Sequence, residues 1–167
     1  MDAVFGADFL LTALVVVLVP GTGVVYTLAH GLGGGARASV VAATGCTLGI
    51  LPHLGAALVG LAALLHASAL AFQAVKVAGV IYLLYLAWMT LREKGALAVT
   101  PAESPRDIHA GRIALGGFLV NILNPKLSIF FLAFLPQFLS PDQAQATATM
   151  AAMGGVFMAM TLVVFIG

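Results

Sequence analysis

Residues 113–139 read IALGGFLVNILNPKLSIFFLAFLPQFL, and the stretch Asn121-Ile122-Leu123-Asn124-Pro125-Lys126 at their centre decides how this apolar segment folds. A membrane-spanning helix needs about 20 predominantly apolar residues, which this segment provides. Pro125 lacks a backbone N–H and clashes with the preceding turn, so a break in the helix is expected there. A charge at the bilayer centre costs roughly 2.5–3.5 kcal/mol on the insertion scale, so Lys126 is predicted to face a bundle interior or a wet cavity. Two alternatives remain: Lys126 snorkels, or it pairs only with the opened backbone.

The composition of the whole chain indicates a membrane protein. Of the 167 residues, 62% are hydrophobic and 8% are charged, and the mean hydropathy is +1.12. Soluble domains carry about 25% charged residues, which this chain could not supply to a water-facing surface. The formal charge of +1 predicts no nucleic-acid partner. Cys46, the single cysteine, excludes an internal disulfide and is interpreted as a free buried thiol.

Five apolar segments predict an all-α, polytopic helix bundle in one transmembrane domain, 1–167, with helices at about 4–29, 39–65, 69–91, 113–139 and 144–167. A Gly-rich turn, residues 31–35, separates the first two segments, and a polar loop at about 92–112 carries most of the charges. Arg37 and the basic residues of 92–112 place the first and third loops in the cytoplasm. Because the chain stops at an apolar helix, we expect it to be C-terminally truncated, with the last helix missing.

A second break is predicted in the first segment, at Pro20-Gly21-Thr22-Gly23. Taken alone, it is equally consistent with a simple packing kink. The two breaks occupy comparable positions in segments of opposite direction, which is the pattern of an inverted 3+3 repeat. Paired Gly/Pro-interrupted segments indicate a transporter's midplane site, and a half-helix N-terminus there suits a carboxylate. Coincidence of two kinks is the alternative.

Other polar residues inside the apolar segments are weaker candidates. His53 follows a proline at mid-segment and is interpreted either as a proton relay or as a donor to a neighbouring helix. Lys76 lies close enough to a helix end to snorkel. Gly45 and Gly49 form a G-x-x-x-G pair that allows close helix approach. No catalytic constellation, metal-ligand spacing or nucleotide-binding loop occurs, so no enzyme, metal site or cofactor is expected.

At these residues the chain resembles the LysE/RhtB family of bacterial amino-acid exporters. The likeness rests on Pro20-Gly21, on a third-segment pattern from Lys76 to Leu86, and on a fourth-segment signature from Gly117 through Asn124-Pro125-Lys126 to Leu135-Pro136-Gln137-Phe138. Thr22 stands where members commonly carry a second proline. Members usually have six hydrophobic segments and about 200 residues, which also favours truncation.

The resemblance implies secondary export of an amino acid or related metabolite across the bacterial inner membrane, driven by the proton gradient, and leaves a homodimer open. Alternatives are a metal or inorganic-ion exporter of the same superfamily, or a non-transporting membrane scaffold. We expect alternating access around a midplane substrate site. The expected site residues are Pro20, Gly21, Thr22, Gly23, Asn121, Asn124, Pro125 and Lys126, with His53 and Lys76 of second rank.

Overall fold

The structure is a computed structural model that describes residues 6–67, 109–139 and 145–167, together with separate helical positions between 70 and 92. Within the three continuous ranges the regular structure is helical throughout. The α-helices are α1 Ala7–Leu18, α2 Thr22–Leu48, α3 Leu51–Ala67, α4 Ala110–Ile122, α5 Pro125–Ile129 and α6 Ala146–Ile166. A π-helical turn, Phe130–Phe134, and a 3-10 turn, Leu135–Phe138, continue α5.

The Gly-rich turn predicted at residues 31–35 is reduced to a single residue. Helical geometry runs to Gly34, and Gly35 alone departs from it, with φ 76° and ψ −176°. The Thr27 hydroxyl nevertheless lies 4.0 Å from the Cys46 sulfur, although a straight helix would separate them by about 28 Å. The chain therefore reverses at Gly35, and α2 is a hairpin of two antiparallel helical halves. Glycine tolerates this positive φ without steric cost, which explains the choice of residue.

The second predicted segment, 39–65, is not continuous but is divided at Gly49 and Ile50. The Ile50 N–H donates to Thr47 O, three residues back, instead of to Cys46 O, and α3 begins at Leu51. Pro52 has no N–H for the carbonyl of Leu48, so the regular α-helical bonding cannot pass this point. Proline in the first turn of α3 is well tolerated there.

Small residues bring α2 and α4 into backbone contact. A Cβ atom added at Gly49 would lie 2.7 Å from Phe118 O, and one at Gly117 would lie 2.8 Å from Ala42 O. A Cβ at Gly45 would overlap the carbonyl of Ala114. The predicted Gly45/Gly49 pair therefore does allow the close approach of helices that its spacing indicates.

Aromatic residues fill the core between α3, the π-helical turn Phe130–Phe134 and α6. The Phe130 ring lies 4.5 Å from Phe157 and 5.4 Å from Phe131 between centroids, and all three side chains are fully or almost fully buried. Met150 and Met153 of α6 are also fully buried in this cluster. The packing ties the segment after α5 to α6.

Within the described part of the chain, two stretches are long and apolar enough to cross a membrane by length and composition, Ala146–Ile166 and Thr22–Gly60, the second of which includes the reversal at Gly35. The pair Ala110–Ile122 and Pro125–Phe138, bent by 53°, makes a third if it counts as one span. Arg37 and Ala110 line one cavity, so the first loop and the end of the third lie at the same end of the bundle. Of the third predicted helix, 69–91, only separate positions are described, and these are helical.

Candidate functional site

The break between α4 and α5 arises because Pro125 cannot donate a hydrogen bond to Asn121 O, one turn earlier. The chain bends by 53° here. The Asn124 side chain accepts from the Lys126 N–H at 3.0 Å and so caps the new helix. The Asn124 N–H donates to Asn121 O at 3.0 Å, which recovers part of the lost bonding.

His53 supplies a further donor to the carbonyl that Pro125 leaves open. Its Nε2 lies 3.0 Å from Asn121 O, and its Nδ1 lies 3.2 Å from the Ser128 hydroxyl. Because a carbonyl can only accept, Nε2 carries the hydrogen, and in the neutral ring Nδ1 accepts from Ser128. His53 is only 8% exposed, so these two bonds satisfy both ring nitrogens in the interior.

The break between α1 and α2 leaves Val19 O free at the end of α1. The Lys126 ammonium donates to this carbonyl at 2.8 Å, across 107 residues of sequence. A Cβ added at Gly21 would lie 3.8 Å from both Lys126 Nζ and Asn124 Nδ2, so the two breaks face each other closely. Gly21 is the N-cap of α2 and has no side-chain cap, so the first N–H groups of α2 open towards this point.

The break between α2 and α3 joins the same network through Asn121. Its Nδ2 donates at 2.8 Å to Cys46 O, the carbonyl that Ile50 does not bond. The side-chain oxygen, Oδ1, is buried and has no hydrogen-bond partner among the described residues. At each of the three helix breaks, α1/α2, α2/α3 and α4/α5, one main-chain carbonyl is left open. In each case a side chain from another break or helix donates a hydrogen bond to that carbonyl.

Between the two proline breaks lies a cavity of about 30 Å³, lined in part by Gly21, Gly23, Asn121, Asn124 and Lys126. Side chains of α6, Phe157, Thr161 and Phe165, close it from the other side. This volume accommodates a water molecule but not an amino acid. A larger open groove of about 690 Å³ adjoins it at Gly21 and runs between α2 and α4.

The sequence matches the model of the LysE type translocator family over residues 14–167, which is nearly the whole chain. The chain belongs to the LysE type translocator family. It is therefore a multi-pass protein of the bacterial inner membrane and a member of a translocator family rather than an enzyme family. The resemblance found in Asn124-Pro125-Lys126 and its flanking residues is confirmed.

Curated relatives of this LysE type translocator include proteins named for efflux. It is 34% identical over 143 residues to an uncharacterized membrane protein of Vibrio cholerae, covering 86% of this chain and 69% of that protein. It is 34% identical to a homoserine/homoserine lactone efflux protein of Salmonella typhimurium, over 82% of this chain and 66% of the relative. A leucine efflux protein of an Enterobacter species is 30% identical, over 83% and 67%. The chain thus spans about two thirds of these relatives' length, and no solved structure matches it significantly.

The residues predicted for the site fall into three groups. Five line the small cavity, namely Gly21, Gly23, Asn121, Asn124 and Lys126. Pro20 and Thr22 line the adjoining groove. Pro125 forms the α4/α5 break, and His53 donates to Asn121 O next to that break. Lys76 lies outside the described residues. The contact of Lys126 with Val19 O corresponds to the alternative that Lys126 pairs with the opened backbone.

Sequence reasoning missed the contributions of Ser128, Cys46 and α6. Ser128 lies two residues after Lys126 in the same short helix, and residues at that spacing do not face each other, so the position of Ser128 beside His53 did not follow from the Lys126 motif. Cys46 contributes its main-chain carbonyl, which no residue type signals. Thr161 and Phe165 lie in an unbroken apolar helix whose other hydroxyls, on Thr147 and Thr149, lie in its first turn, so the mid-helix hydroxyl of Thr161 was the available signal.

Proposed function

We propose that this protein exports an amino acid or a related small metabolite, with its substrate site between the α1/α2 break and the α4/α5 break. The observation that carries the proposal is the contact of Lys126 Nζ with Val19 O beside the N-terminus of α2. A cation and a set of helix N–H groups converge there, inside an apolar protein. Both stabilise a negative charge, so the site suits a carboxylate.

The same contact suggests how binding could drive a conformational change. Lys126 belongs to one broken span and Val19 to the other, so their hydrogen bond holds the two spans together. A substrate carboxylate would compete for the ammonium as a charged acceptor and would weaken that link. A ligand shifts a conformational equilibrium only through its different affinity for the two states, and this exchange of partners supplies such a difference.

The small cavity supports an occluded arrangement of the site. Its volume of about 30 Å³ is far below the roughly 300 Å³ of the smallest usual ligand pockets. The two spans therefore have to separate before an amino acid enters. The groove along Pro20, Thr22 and Tyr26 adjoins the cavity at Gly21 and offers the shortest route to it.

We also propose that the proton gradient drives export and that His53 takes part. A histidine ring can carry a proton on each of its two nitrogens, so it can accept and release one. A second proton on His53 would sit on Nδ1 and turn the Ser128 hydroxyl from donor to acceptor. Nε2 would keep its bond to Asn121 O, and the positive charge on the ring would strengthen that bond, one turn before the break at Pro125.

The test is transport by the full-length protein reconstituted in proteoliposomes. Leucine and homoserine, isotope-labelled, and divalent metal ions are offered to the same vesicles with and without an imposed proton gradient. Amino-acid movement that a protonophore abolishes supports both parts of the proposal. Movement of metal ions alone favours the inorganic-ion alternative, and movement of neither favours a scaffold. Amino-acid movement that the protonophore leaves unchanged refutes proton coupling only.

A further inference from the structure

Asn121 carries a buried acceptor that the proposed carboxylate site does not use. The residue is 2% exposed, and its Oδ1 has no hydrogen-bond partner within the described ranges. Leaving such an acceptor unbonded in the interior is costly, so a native protein usually provides a partner for it. Because no described protein group bonds to Oδ1, a ligand that donates a hydrogen bond could satisfy it.

The orientation of this amide is fixed by its neighbours. Nδ2 donates to Cys46 O at 2.8 Å, and a flipped amide would set two acceptors, Oδ1 and Cys46 O, against each other. The main-chain carbonyl of Asn121 is held in turn by His53. Oδ1 is therefore locked in place on the opposite side from Cys46.

Oδ1 faces Gly23, on the wall of the small cavity. A Cβ added at Gly23 would come within 2.6 Å of Oδ1 and 3.1 Å of the Phe165 ring. Because Gly23 carries no side chain, Oδ1 can lie against this position, where it is buried and has no hydrogen bond within the described ranges. A substrate can therefore reach Oδ1 only when the two breaks move apart. Gly21, two residues earlier, stands by Lys126 Nζ in the same way, so a cation and a neutral acceptor flank one short stretch of backbone.

We propose that Asn121 Oδ1 accepts a hydrogen bond from the ammonium group of the substrate while Lys126 and the N-terminus of α2 hold its carboxylate. This assignment rests on the proposed function and deepens it, because it names the residue that distinguishes an amino acid from the corresponding hydroxy acid. A neutral oxygen suits this role, since Lys126 already balances the carboxylate. A 2-hydroxy acid lacks the ammonium and an amino-acid amide lacks the carboxylate, so each satisfies only half of the site.

The test compares leucine with its hydroxy-acid analogue, 2-hydroxy-4-methylpentanoate, and with leucinamide in proteoliposomes of the full-length protein. Homoserine and 2,4-dihydroxybutyrate form a second pair. We expect the wild type to transport each amino acid at least tenfold faster than its analogues. Equal rates for the amino acid and the hydroxy acid would overturn the proposal and leave Oδ1 as a partner for water only.

Gly23→Ala places a methyl group within 2.6 Å of the present position of Oδ1, so it blocks or displaces this acceptor. We expect it to lower the ratio of amino-acid to hydroxy-acid transport at least tenfold. Gly155→Ala is the matched control, since a Cβ there meets nothing within 4 Å, and it should keep the wild-type ratio. A G23A ratio equal to that of the wild type refutes the role of Oδ1, even if both absolute rates fall.

A second pair of variants covers the case in which G23A fails to insert. Asn121→Asp and Asn121→Leu both lose the bond to Cys46 O, but only the aspartate keeps an acceptor oxygen. The preference for the amino acid should survive in N121D and disappear in N121L, and equal ratios in the two would overturn the assignment. If the wild type moves no amino acid at all, it is the proposed function that fails, so the two failures are distinguishable.

Discussion

Replacing Lys126 by Met removes the charge and the donor at the centre of the proposed site while nearly keeping the side chain's length. Two interactions are lost: the 2.8 Å bond to Val19 O and the attraction for a substrate carboxylate. A hydrogen bond to a charged group contributes about 1.5–3 kcal/mol. At about 1.4 kcal/mol for each factor of ten, we expect kcat/KM for export to fall about 10- to 150-fold.

The measurement is the initial rate of amino-acid transport in proteoliposomes at several substrate concentrations, normalised to the amount of inserted protein. Lys126→Arg is the control, because it keeps the charge and the donors in a different shape, and it should retain more activity than Lys126→Met. The binding role predicts that KM rises in the Met variant. Transport by Lys126→Met within twofold of the wild type would refute the reasoning and leave Lys126 with a purely structural contact.

Three further substitutions test the framework around the site. Gly45→Ala should lower the melting temperature of the detergent-solubilised protein, because the added methyl overlaps the backbone of α4 and overpacking costs about 1–3 kcal/mol. His53→Ala should destabilise by about 1–3 kcal/mol, since Asn121 O then loses a donor in a buried place, and it should also reduce proton-driven export. Pro125→Ala should restore an N–H to the helix and reduce the 53° bend, so export should fall while thermal stability holds or rises by up to about 3 kcal/mol.

Each of these has a control or an opposing outcome. Gly55→Ala adds a methyl where nothing lies within 4 Å and should leave the melting temperature unchanged, so an equal drop in both glycine variants would contradict the packing argument. His53→Gln keeps a donor and should recover stability but not proton coupling. Full export activity in Pro125→Ala would show that the fixed hinge is unnecessary.

Much of the fold follows from local features of the sequence. The apolar segments identify a membrane protein because a chain with only 8% charged residues cannot cover its surface with polar groups in water. The breaks at Pro20 and Pro125 are present because proline lacks an N–H wherever it occurs. The spacing of Gly45 and Gly49 predicts a close helix contact for a similar reason, since the absence of a side chain is a property of the residue itself.

Other features did not follow from the sequence. The division of the second segment depends on Pro52 together with the approach of α4 at Gly49, and the sequence pattern there was interpreted as one helix. The reversal of α2 is confined to Gly35, although the predicted turn comprised all five positions of 31–35, four of which, including Gly35 itself, are glycines. In both cases packing between helices selected one outcome among several that local preference allowed.

The sequence by itself determined that the backbone would open at Pro20 and Pro125 and that Lys126 would need a partner, because proline breaks and buried charges are local properties. It gave no sign that Cys46 O would need one. Only the tertiary structure decided which partners these groups received. Val19 O takes the ammonium of Lys126 across 107 residues, Cys46 O takes the amide of Asn121 across 75, and Asn121 O takes the ring of His53 across 68. Hydrogen bonding in an apolar interior requires that each donor find an acceptor, but distance along the chain does not specify which one. The helix packing makes that choice, and it leaves Asn121 Oδ1 buried without a hydrogen bond among the described residues, on a residue that lines the same small cavity as Lys126.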